Sequence, residues 1–203
     1  MANIDNKWKD AFNAQNLGYC IVKILDSKPA FCLCLLDNGN EVRMLCSNSS
    51  VYDFSKEKLL NRNYRHIAKV LDCVEFDYVE SDDVKYSIYC IITERIERDF
   101  AKYDEKQLGI NLFVEAWQEY LQCSDTQVYN MLDEAYTNNE EQGKEFVHRY
   151  ITSNAKGNID KKVALAFTEV YKTVKGLSPT ARINLFPDNV GVANSEVKIC
   201  FIG

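Results

Sequence analysis

Asn38-Gly39 stands between two apolar runs, Ala30–Leu36 and Glu41–Cys46, and no other feature limits the fold as tightly. Both residues tolerate positive φ, so a pair placed this way predicts a β-hairpin closed by a type I′ turn. Tyr19–Leu25 is a β-rich run ahead of the hairpin. Ala68–Tyr78 and Tyr86–Ile96 are further strand candidates, joined by the acidic loop Glu80-Ser81-Asp82-Asp83. A polar segment, Ser47–Asp53, and a short helical stretch over about Ser55–Asn61 interrupt the strands. The first half therefore reads as five strands and one helix.

The second half changes period. Leu112, Val114, Trp117 and Leu121 recur near helical spacing, and Ser124-Asp125 caps a following segment, Thr126–Ile151. Asp160–Lys175 sets Val163, Phe167, Val170 and Val174 on one face, and Gly176 with Pro179 marks its end. Ala181–Val192 and Glu196–Ile202 read as two strands around Ala193-Asn194-Ser195. Strand pattern yields to helix pattern near Glu97–Tyr103, which divides the chain into a mainly β lobe, 1–98, and a helical lobe, 99–203. The expected fold class is α+β.

Composition sets the outer limits. The 203 residues are 46% hydrophobic and 27% charged, which excludes disordered and collagen-like sequence. A net charge of −6 offers no basic excess to neutralise phosphates, so no nucleic-acid partner is expected. No apolar run approaches the roughly 20 residues that span a bilayer. Met1–Asp10 is polar and mixed in charge, so neither a signal peptide nor a membrane partner is expected. The eight cysteines sit in apolar runs such as Phe31-Cys32-Leu33-Cys34 and lack a C-x-x-C pair, and His66 and His148 are the only histidines. Reduced core thiols in a cytoplasmic protein are expected, with no zinc site and no Cys–His nucleophile.

Four stretches carry a family pattern. Arg182-Ile183-Asn184-Leu185-Phe186-Pro187-Asp188-Asn189 resembles the catalytic loop H-R-D-L-x-P-x-N, and Glu196–Gly203 resembles the strand leading into D-F-G. Asn63–Asp72 is similar to the segment after the family's C-helix, and Ile91–Glu97 to the strand that enters the hinge between lobes. In this order the chain resembles the protein-kinase fold over about residues 17–203. The resemblance implies a two-lobed domain: a five-stranded antiparallel sheet with one helix, a reduced helical lobe and a C-terminal β-hairpin.

The same correspondence removes the chemistry. The catalytic-loop Asp falls on Asn184, an amide that accepts no proton at neutral pH, while the metal-binding Asn is kept as Asn189. The D-F-G Asp falls on Phe201 or Cys200, neither a hard oxygen ligand for Mg²⁺. The glycine-rich turn is replaced by Leu25-Asp26-Ser27-Lys28-Pro29. The phosphate-binding lysine falls near Leu45, with Arg43 a cation two places earlier on the same face, and the C-helix glutamate falls on Glu57. The correspondence places Gly203 at the end of D-F-G, so no counterpart of the activation loop is expected within these residues.

These readings predict a catalytically inactive kinase-like domain that acts as a binding or regulatory module, with no metal and no required cofactor. The resemblance leaves ATP as a low-affinity ligand at the hinge, held by Thr93, Glu94, Ile96 and Arg43. Two alternatives stand beside it: a divergent ATP-dependent phosphotransferase, and an unrelated α+β protein-interaction domain. A protein partner or self-association is expected.

Overall fold

The computed structural model describes residues 4–46, 49–81, 84–98, 169–170, 172–181, 189–194 and 196–200. The helices expected between 112 and 158, the catalytic-loop-like residues 182–188 with Asn184, His148, and Phe201–Gly203 lie outside the described residues. The described residues form two units. The first holds 4–63 and 68–95, and the second holds 64–67 with those from 96 to 200.

The first unit is an α+β body built on one antiparallel sheet. Helix α1 spans Ile4–Asn13 and is followed by β1 (Ile21–Lys28), β2 (Phe31–Leu36) and β3 (Glu41–Leu45). Helix α2 (Ser49–Phe54) continues as a π-helical turn over Ser55–Leu59, and β4 (Val70–Ser81) and β5 (Val84–Thr93) complete the sheet. The strand order is β1-β2-β3-β5-β4.

The β2–β3 hairpin forms as its sequence predicts, but through a different turn. Gly39 N–H donates to Leu36 O at 3.1 Å and Leu36 N–H to Asn40 O at 2.9 Å. Gly39 has φ 83°, whereas Asn38 is not among the positive-φ residues. The loop therefore needs one left-handed residue rather than the two of a type I′ turn. The β1–β2 connection is tighter than expected. Lys28 pairs with Phe31, so Pro29 and Ala30 alone make the turn.

Helix α1 has no counterpart in the sequence reading. Trp8 and Phe12, four residues apart, share one face and are buried. They close one side of the sheet over Cys32, Cys34, Val42, Met44, Cys90 and Ile92. The Asn13 side chain ties the helix end to β1, accepting from Ile21 N–H at 2.7 Å. The three cysteines are fully enclosed here and pack as small apolar groups. The opposite face carries α2, whose Tyr52 ring lies 5.2 Å from that of Tyr89 on β5. The helix begins six residues before the expected Ser55, because Val51, Tyr52 and Phe54 supply the apolar stripe.

In the second unit β6 (Val190–Ala193) and β7 (Glu196–Ile199) form a hairpin, with Asn194 at φ 54° in its turn. The helix expected to end at Gly176 continues through residue 177 before Pro179 turns the chain. Val192 and Glu97 exchange both backbone hydrogen bonds, at 2.8 and 2.9 Å. That approach is close enough to require glycine at 191, where a Cβ would stand 2.9 Å from Glu97 O.

Candidate functional site

Because side chains alternate along a strand, Glu41, Arg43 and Leu45 share the α2 face of β3. Register places Arg43 between Leu33 on β2 and Ile91 on β5, and Glu41 beside Thr93. Each of the three polar groups, Glu41, Arg43 and Thr93, is only 1% exposed. Arg43 is thus an enclosed cation inside a sheet, its guanidinium carbon 5.7 Å from the centroid of the Phe31 ring. Lys28 approaches the same ring at 5.9 Å. An acid and a base two residues apart, both out of water, are the most unusual chemistry of this unit. Glu41 was missed in the sequence reading. Its signal was present: a charged residue at alternate positions of a strand whose other face is apolar.

The end of β5 is bonded inward. Glu94 N–H donates to Lys69 O at 3.0 Å, and its carboxylate accepts from Lys69 N–H at 2.8 Å. Glu94 therefore locks the ends of β4 and β5 together. Beyond it, Ile96 O accepts from Arg98 Nη1 at 3.2 Å, and both backbone groups of Glu97 are taken by Val192. Ile96 itself is buried. Glu57, which the resemblance takes as the C-helix glutamate, is exposed on the π-helical turn.

Asn189 is buried next to β6, and its carbonyl accepts from Cys200 N–H at 2.9 Å and from Cys200 Sγ at 3.2 Å. Around this hairpin lies a set of charges within the second unit. Arg65 Nε stands 2.9 Å from Glu196 Oε1, His66 Nε2 stands 3.3 Å from Glu169 Oε2, and Lys198 Nζ donates to Tyr64 O at 3.5 Å. The Arg65 hydrogen bond holds the Glu196 carboxyl below its ordinary range. His66 thus serves as a hydrogen-bonding residue.

Titratable groups near the α2 face shift through burial. Burial, with Asp72 beside it and against the opposing Lys56, pushes the Cys73 thiol up to about 11. Tyr52 rises to about 12, chiefly from burial. Neither change activates a nucleophile, since a raised thiol is less ionised at neutral pH. Among the described residues no three His, Cys, Asp or Glu side chains converge as a metal site would require. No helix among them is long and apolar enough to cross a membrane.

The structure thus brings Arg43 and Thr93 together, with Glu41, on one sheet face, while Glu94 caps the strand ends and Asn189 anchors a separate hairpin. No family model matches this chain, and no curated protein matches it by sequence.

Proposed function

We propose that the chain is a catalytically inactive, protein-kinase-like domain that works as a binding or regulatory module. What supports the likeness is connectivity: three antiparallel strands, one helix, two more strands, and a final hairpin. The cation nearest the lysine position, Arg43, also lies on the sheet face that the helix covers.

The observation that carries the inactive reading is the state of the polar groups a nucleotide would use. The two-residue Pro29-Ala30 turn presents no run of free amides, and Pro29 has none. The hinge-position amide of Glu94 is spent on Lys69. Arg43 is enclosed within the sheet, and Glu57 faces solvent. A phosphoryl-transfer site needs a phosphate cradle, a metal carboxylate and a base in place together. At those positions this chain carries a proline turn, Cys200 or Phe201, and Asn184.

Thermal unfolding of the full chain with increasing ATP, with and without Mg²⁺, tests this reading. A ligand that binds only the folded state at a hundred times its Kd adds about 2.7 kcal/mol. The expected result is no Mg²⁺-dependent rise in Tm at millimolar ATP. A rise that requires Mg²⁺ would overturn the inactive reading in favour of a divergent phosphotransferase.

A further inference from the structure

The sheet has two edges, and they are built differently. On β1 the ladder to β2 is broken twice, between Ile21 and Lys23 and again between Ile24 and Asp26. Such bulges twist an edge away from further pairing. The β4–β5 ladder is also broken twice, between Val70 and Asp72 and between Val79 and Ser81, but those breaks lie at its ends, and from Asp72 to Val79 the register runs without interruption. Among the described residues β4 has β5 as its only strand neighbour, apart from a single bridge from Leu60 to Val70. Moreover, β3 pairs with β5 only as far as Tyr89, so 76–81 and 84–88 continue past the β3 pairing as a two-stranded arm. Three of the exposed large apolar side chains lie on that arm: Val79 (60%), Val84 and Tyr86.

The arm is also one-sided in charge. Glu75, Asp77 and Glu80 are exposed on β4, Asp82 and Asp83 follow in the sequence, and Lys85, paired with Asp77 at 2.7 Å, is the one base between Glu75 and Tyr86. Glu75 and Asp77 lie on the α2 face, whereas Phe76 and Tyr78 lie on the α1 face, with Tyr86 opposite Tyr78. A strand added to this edge would set alternate side chains beside carboxylates and beside aromatic rings. A second copy of β4 would oppose acid to acid, which is unfavourable across a strand pair.

We propose that the outer edge of β4, Glu75–Glu80, docks an extended segment of a partner protein in which basic residues alternate with apolar ones. Main-chain hydrogen bonds supply the attachment, and the two side-chain rows supply the selection. This rests on reading the chain as a binding module, and the nucleotide titration and the experiment below fail independently of each other.

The probe is a capped peptide of alternating Lys and Val, titrated into the full chain while amide hydrogen exchange is followed by NMR. A peptide of alternating Glu and Val, and a Lys-Val peptide with its central Val residues replaced by Pro, serve as comparisons. The expected result is slowed exchange at residues 75–80 with the Lys-Val peptide alone. Glu75→Gln/Asp77→Asn should weaken binding about tenfold and Glu75→Lys/Asp77→Lys further still, since interfacial charges set partner choice. Both pairs are exposed, and circular dichroism checks that each variant is folded. Equal binding of the proline peptide would show charge attraction without strand addition, and would overturn the proposal. So would protection elsewhere on the chain, no binding at millimolar peptide, or protection of β4 by raised protein concentration alone.

Discussion

Replacing Arg43 by Met keeps most of the side-chain volume of an enclosed residue and removes its charge. Glu41, two positions away on the same face of β3, lies about 6.6 Å distant along the strand. Both are 1% exposed. With the cation gone, the carboxylate sits in a poorly solvated place with its nearest opposite charge along the strand removed. Losing a nearby cation destabilises a buried carboxylate by up to about 3–5 kcal/mol, the cost of breaking a direct buried pair. Loss of the contact with the Phe31 face adds to this by about 0.5–2 kcal/mol. Set against a typical domain stability of about 5–15 kcal/mol, Arg43→Met should cost about a quarter or more of the folding free energy. Urea unfolding measures it: the midpoint should fall while the slope is kept, because the surface exposed on unfolding is little changed. Adding Glu41→Gln should recover part of the loss, with a coupling of about 0.5–3 kcal/mol. Strictly additive losses, or a cost for Arg43→Met below about 1 kcal/mol, would show that the two charges are not coupled within the sheet.

Other outcomes follow from packing and titration. Phe12→Ala removes a fully buried ring that stacks on Tyr19 at 6.1 Å and meets Phe76 edge-on at 6.4 Å, so calorimetry should show a loss of about 3–5 kcal/mol. Tyr52 holds its proton to about pH 12, whereas an unperturbed phenol releases it near 10. The folded state therefore binds the proton more tightly, and that stability is full below pH 10 and is lost as pH rises towards 12. The urea midpoint of Tyr52→Phe should accordingly fall less steeply over this alkaline window than that of the native chain.

The strands were legible because they announce themselves locally. Apolar runs bounded by Asn-Gly, Pro and acidic turns leave few other folds for residues 19–96, and the paired strands fall on those runs. Boundaries moved where pairing, rather than composition, sets the end. Thus β1 runs on to Lys28 because it can pair with Phe31, and β5 stops at Thr93 because Glu94 turns to bond Lys69. Helix α1 escaped notice because its charges alternate and only Trp8, Ala11 and Phe12 mark the buried stripe, a pattern that acquires meaning once a sheet face needs covering. The charged face of β3 was half legible. Arg43 stood out as a cation on a strand, but the burial of Glu41 and Thr93 beside it depends on β5, nearly fifty residues away in sequence. Tertiary pairing, not local pattern, makes that cluster.

Whether phosphate moves at all is the most direct test of the central claim. The purified full chain would be incubated with ATP labelled at the γ-phosphate, with Mg²⁺ and with Mn²⁺, and transfer to the chain, to general acceptor proteins and to water would be followed. The account predicts no transfer above a protein-free blank under either metal, because the proposed kinase-like correspondence puts Asn184 where the base would stand and Cys200 or Phe201 where the metal carboxylate would stand. Metal-dependent labelling that Arg43→Met abolishes in a still-folded chain would contradict it.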